Sequence, residues 1–179
     1  ELSLEGVGAE AFTATLEKIL QQASLPPWQV RLLADSYLVQ GKPERAQRYY
    51  ESLLEHPDYG SDAGVLNNLA NIYAEEDLDK ALATAMQALE SGGEKNYALL
   101  DTVGWILTRL GREEQALPYL RKAYSINSRN PEIRYHTGVA LLGLKREAEA
   151  LSELRAALAS DAEYPGRDDA ETLLNSLAQ

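Results

Sequence analysis

Apolar residues in this chain recur three or four positions apart, the spacing of one helical face. In the window 97–130, Leu100, Val103, Gly104 and Leu107 share such a face, Gly111 interrupts, and Ala116, Leu120 and Ala123 form a second face. The pattern predicts two amphipathic helices joined by a tight turn, with Gly111 supplying the left-handed residue that ends the first. Asn130-Pro131-Glu132 then predicts a new helix start. It offers a side-chain cap, a residue that needs no amide donor, and an acid at the positive end of the helix.

The same arrangement returns along the chain. Ala34, Ala70, Gly104 and Gly138 lie 36, 34 and 34 residues apart, while Ala46, Ala81, Ala116 and Ala150 step by 35, 35 and 34. Leu53, Ala88, Ala123 and Ala157 repeat the second set of steps. Small residues allow two helix backbones to approach, and the larger apolar residues fill the seam between them. One helix pair cannot bury its apolar face alone, so the units must stack.

The expected fold is all-α, built of antiparallel helix pairs, with no strands. Four units are expected over 27–164, bounded as 27–60, 63–96, 97–130 and 131–164. Residues 1–26 are expected to hold an N-terminal helix, over 9–22 and ended by Pro26-Pro27, as half of an earlier repeat. Residues 165–179 are expected to hold a capping helix over 167–177, entered through Asp168 and Asp169.

Composition narrows the functional classes. The 179 residues carry a formal net charge of -11, with a pI near 4.7. Nucleic acid and anionic membrane surfaces select for basic patches, so both are disfavoured as main partners. The absence of cysteine removes disulfides, zinc–thiolate sites and thiol nucleophiles from this segment. No apolar run approaches the roughly 20 residues that span a bilayer. The chain opens at Glu1 with neither methionine nor signal peptide, which reads as an excised or processed piece.

Candidate chemistry is sparse. His56 and His136 lie on different units, and neither has a ligand partner four residues further on. The run from Asp161 to Glu171 fails as a calcium loop, because Pro165 and Thr172 occupy ligand positions. Gly6-x-Gly8 lacks a preceding strand and a third glycine. Arg134-Tyr135-His136 looks like a reactive trio, but neighbours on a helix diverge by about 100°. The register sends Tyr135 to the inner face, packs the Arg134 stem into the seam with its head in water, and leaves His136 near the surface. The reading is of no enzyme, no metal and no cofactor.

The repeating pattern resembles the tetratricopeptide repeat (TPR). The first unit carries Val30, Leu33-Ala34, Tyr37, Ala46 and Tyr50. The second carries Leu66, Leu69-Ala70, Tyr73, Ala81 and Ala85, with one residue fewer in its turn. The fourth departs by placing Arg134 and Thr137 at the early apolar positions. The resemblance implies a right-handed α–α superhelix that holds a peptide or protein segment in a concave groove. Its lining would include Trp28, Arg31, Asp35 and Leu38 from the first unit, then Asn67, Asn71 and Ala74 from the second. Asp101, Trp105 and Thr108 follow, then Tyr135, Val139 and Leu142. Trp28 and Trp105 have an alternative place, packed against neighbouring helices. A clamp for a terminal carboxylate is disfavoured, since Arg31 and Asn71 lack a lysine cluster and Asp35 and Asp101 would repel the ligand.

The C-terminal half is further similar to bacterial TPR lipoproteins that accompany exosortase (PEP-CTERM) protein sorting. Asp101-Thr102-x-Gly104-Trp105, the stretch from Asn130 to His136, and Pro165-Gly166-Arg167 with the helix after it carry that similarity. It implies a scaffold in envelope protein sorting or exopolysaccharide export, on the periplasmic side in a membrane-anchored precursor, with the cytoplasm as the alternative. Two rivals stay open. One is a homo-oligomeric assembly module whose groove is filled by a neighbouring copy; the other is a regulatory segment of a larger enzyme.

Overall fold

The computed structural model describes residues 7–20 and 25–177. They form α1 (Val7–Leu20), α2 (Pro27–Val39), α3 (Pro43–Leu54), α4 (Ala63–Tyr73), α5 (Leu78–Gly92), α6 (Tyr97–Arg109), α7 (Glu113–Ile126), α8 (Pro131–Gly143), α9 (Glu147–Leu158) and α10 (Arg167–Leu177). No strand occurs among the described residues. The expected N-terminal helix is seen from Val7 to Leu20; Gln21 and Gln22, like residues 1–6 and 178–179, lie outside them. The closest packing is within α2/α3, α4/α5, α6/α7 and α8/α9, and each pair then leans on the next. Helices α4, α6 and α8 also touch one another along one side, and α10 lies across α9 and reaches α8. The chain is an all-helical solenoid whose inner face is built from the first helix of each pair.

The small-residue series explains the close approach. Ala34, Ala46, Ala70, Ala81, Ala116 and Ala150 are fully buried at the helix crossings. At Gly104 a methyl group would stand 2.6 Å from Leu120 Cγ and 3.4 Å from the Ala116 carbonyl oxygen. At Gly138 the corresponding distance to Leu154 is 3.0 Å. Around these contacts Leu33, Leu66, Leu100, Ile106, Leu120, Ile133 and Leu154 fill the seams almost without exposure. Each such side chain contributes about 1.5–3 kcal/mol on burial.

Helix ends follow the residues that mark them. Asp62, Asp77, Asn96 and Asn130 each accept a hydrogen bond from an amide in the first turn of α4, α5, α6 and α8. Gly41 and Gly111 take left-handed φ values of 66° and 69° in their turns. Lys145 holds the matching place in the α8–α9 turn, at a φ of 59°. The shorter α4–α5 turn closes without such a residue.

Polar ties run between helix pairs as well. Arg31 Nη1 donates to both oxygens of Asp62 at 3.0 Å. Tyr50 donates to Asp35 and accepts from Asn68, and Tyr73 donates to Glu51 at 2.8 Å. No helix among the described residues is long and apolar enough to cross a membrane.

Candidate functional site

The inner face opens into a cleft of about 550 Å³. Asn67 and Asn71 of α4, with Ala74 at its C-cap, form one wall, and Asp101, Thr102 and Trp105 of α6 form the floor. Glu132, Tyr135 and His136 of α8 form the other wall. Pro165, Gly166 and Asp169, at the start of α10, close its end. Positions one turn apart on α4 and α6 give the first two surfaces, as the helical stripe requires. The third depends on how the first turn of α8 packs over α6.

A buried polar–aromatic cluster organises the centre. His136 Nδ1 lies 3.0 and 3.1 Å from the two carboxylate oxygens of Asp101, and both residues are buried. The imidazole stacks on Trp105 with ring centres 4.3 Å apart and planes 15° from parallel. Tyr135 sits 5.7 Å from the same indole and 5.5 Å from His136. Gly166 presses on the Tyr135 ring: a methyl group there would come within 2.3 Å of Cε1, and its φ is +84°. Glycine is therefore required at 166 for space and for backbone conformation alike.

Electrostatics favour acid character in the cleft. Burial raises the Glu132 carboxyl above its ordinary range; the nearby His136 opposes this and Asp101 adds to it. The Tyr135 hydroxyl is pushed up to about 12, first by burial and then by the neighbouring Asp169 carboxylate. At the rim, Arg109 donates to Glu75 at 2.8 Å. On the α4 wall, Asn67 Oδ1 is buried and has no donor. Among the described residues no group of three or more His, Cys, Asp or Glu side chains is placed to hold a metal ion.

Of the residues named from sequence, the cleft brings together Asn67, Asn71, Ala74, Asp101, Trp105 and Tyr135. The others lie elsewhere. Trp28 is 58% exposed at the far end. Arg31 is held by Asp62 and lies 3.9 Å from Asp35, which in turn receives the Tyr50 hydroxyl. Leu38 packs against the main core, Val139 and Leu142 pack around Tyr135 and Leu154, and Thr108 is buried with its hydroxyl on the Gly104 carbonyl. Trp105 both lines the cleft and packs on its neighbours, so its two expected places coincide.

Three expectations from the Arg-Tyr-His stretch are corrected. His136 is not near the surface but 6% exposed, drawn inward by Asp101 and Trp105. Tyr135 and His136 do not diverge to separate surroundings, because the indole is broad enough to meet both rings. Arg134 alone turns away; its head binds Glu153 at 2.8 Å and the Tyr124 hydroxyl instead of reaching freely into water. Glu132, His136 and the 165–169 wall were missed. An acid and a histidine 35 residues apart, one more than the repeat step, were the available signal for the Asp101–His136 pair.

A hollow of about 650 Å³ lies between α1, α2 and α3. Its Arg45 is already matched, 3.6 Å from Glu17 and 5.4 Å from the Tyr37 ring centre. The inner cleft, with its unpaired acceptor, is the better candidate site.

A stack of helix pairs with a lined inner face defines the chain as an α-solenoid repeat protein. Residues 31–98 and 107–177 each match a family model described as tetratricopeptide repeat. The chain is therefore built of tetratricopeptide repeats. A search of curated proteins finds no match. Among solved structures, the thermophilic TPR protein TTC0263 of Thermus thermophilus is 22% identical, with a TM-score of 0.70 over 96% of this chain and 91% of that one. YrrB, described as a TPR protein with an unusual peptide-binding site, is 29% identical, with a TM-score of 0.63 over 94% of this chain and 82% of its own. MamA is 16% identical, with a TM-score of 0.70 over 84% of this chain and 87% of its own.

Proposed function

We propose that this chain is a non-catalytic scaffold that binds an extended segment of a partner protein in the cleft between α4, α6, α8 and the start of α10. The observation that carries this reading is the cleft's lining. Asn67 and Asn71 stand one turn apart on one wall, facing an aromatic cluster. Carboxamides serve the alternating donors and acceptors of an extended backbone, and aromatic rings anchor side chains. The likeness to YrrB, described as having a peptide-binding site, supports the same reading. The test is selection from a displayed random-peptide library with the intact chain and with Asn67→Ala plus Asn71→Ala. Sequences enriched by the first should be lost by the second. Equal enrichment by both would remove the cleft from the account.

The similarity of the Asp101–Trp105, Asn130–His136 and Pro165–Leu174 stretches to exosortase-associated lipoproteins supports a finer placement. In it, the scaffold works in envelope protein sorting or exopolysaccharide export on the periplasmic side. Fusing alkaline phosphatase to the C-terminus of the full gene product tests this, since the reporter is active only after export.

A second reading, self-assembly through the chain's ends, is favoured by Trp28 and Val39, exposed at 58% and 61% on α2. Light scattering over a wide concentration range separates it from a monomeric scaffold.

A further inference from the structure

The cleft is rich in carboxylates and poor in cationic groups. Glu75, Asp101, Glu132 and Asp169 face it, against one guanidinium, Arg109. Two of these carboxylates are occupied, Glu75 by Arg109 and Asp101 by His136, and Asp169 lies close enough to the Tyr135 hydroxyl to act on it. Glu132 is half-buried, and no side chain among the described residues donates a hydrogen bond to it. A carboxylate withdrawn from water without a donor is destabilising. On the opposite wall a second acceptor, Asn67 Oδ1, is buried and equally without a donor. Two unserved acceptors facing each other across one cavity call for an occupant that brings donors and positive charge.

Resting on the reading of the cleft as a peptide site, we propose that its occupant is an extended partner segment whose arginine side chain enters the cleft. The guanidinium donates to Glu132 and lies against Trp105. A guanidinium fits better than an ammonium here, because it offers a planar fork of five donors and stacks on aromatic rings. A cleft of about 550 Å³ also accommodates the backbone on either side of the arginine. The chain's net charge of -11 adds long-range attraction for a basic segment and repels an acidic one.

The two tryptophans make the test direct, since Trp105 lies in the cleft and Trp28 at the other end of the solenoid. The uniformly 15N-labelled chain is titrated with the peptide Ac-Gly-Ser-Arg-Ser-Gly-NH2 while both indole N–H signals are followed. The Trp105 signal should shift and the Trp28 signal stay fixed. A citrulline peptide, with the same shape and no charge, should bind about tenfold more weakly, and a lysine peptide more weakly than arginine. Glu132→Gln should weaken the arginine peptide about tenfold, leave the citrulline peptide unchanged and preserve the melting temperature or raise it.

If citrulline or lysine binds as tightly as arginine, or if Glu132→Gln has no effect, the arginine proposal fails and the cleft survives as a peptide site. If no peptide moves Trp105, both readings fall together.

Discussion

At Gly104 a hydrogen atom stands where the first two repeats carry the methyl groups of Ala34 and Ala70. The difference is set by Leu120, whose Cγ would lie 2.6 Å from a methyl carbon at 104, against 3.0 Å for Leu154 and position 138. Overpacking a well-filled crossing costs about 1–3 kcal/mol, while glycine to alanine in a helix returns about 1 kcal/mol. Gly104→Ala should therefore lower stability by up to about 2 kcal/mol and Gly138→Ala by close to nothing, as read from urea-unfolding midpoints. The sequence shows that small residues belong at both places. It does not show which neighbour enforces them, because that depends on the rotamer of a leucine in another helix. Glu132 gives a pH-dependent counterpart. Its carboxyl is raised in the folded chain, so the folded state holds that proton more firmly than the unfolded one. Its contribution to stability is thus lost as pH rises from the unfolded carboxylate range, about 4.3, through the raised folded value. Glu132→Gln should raise the melting temperature at about pH 7 and leave it nearly unchanged at about pH 3.

Whole elements were the most legible level, because starts and stops are written in local chemistry. Asp62, Asp77, Asn96 and Asn130 cap the helices they precede, and Gly41 and Gly111 end the ones they follow. Asp62 also does something its local sequence does not reveal. While one of its oxygens caps α4, the pair together hold Arg31 of α2, joining the first helix pair to the second. Asp77 caps α5 and is exposed. Asp77→Ala should cost about 1 kcal/mol, the usual loss of a cap, and Asp62→Ala about 2 kcal/mol because an inter-helix ion pair goes with it. Thermal unfolding of the two variants side by side checks the difference, and equal losses would show that the Arg31 contact is idle. The partnership between α6 and α8 was hidden for the same reason. Asp101 and His136 meet only once two repeats are stacked, and a helical wheel drawn for α8 alone leaves His136 outside.

At the scale of the molecule, the stacking of helix pairs follows from three series of mostly small residues, whereas the cleft depends on how α10 meets α8 and α9. Helix α10 could be placed as an amphipathic cover from its own pattern. That its leading turn would supply Pro165, Gly166 and Asp169 to the cleft could not, since this turn keeps no register with the repeats. The cover is also energetically important. Tyr164, Ala170, Leu173 and Leu177 join Tyr135, Leu154 and Ala157 in a separate apolar cluster. Ending the chain at Glu163 should lower stability by roughly 3–5 kcal/mol through uncovering that cluster. It should also shift Trp105 fluorescence to longer wavelength while Trp28 emission is unchanged. The seat of Gly166 on the Tyr135 ring has a kinetic side as well. Helix α10 packs on α9 and only lightly on α8; weakly packed elements open most readily, and an opening of α10 would carry away the end wall of the cleft. An occupant of the proposed site would then leave sideways past the displaced helix, without being drawn back along the groove. On the proposed reading of the cleft, its residence time would be set by how often α10 lets go.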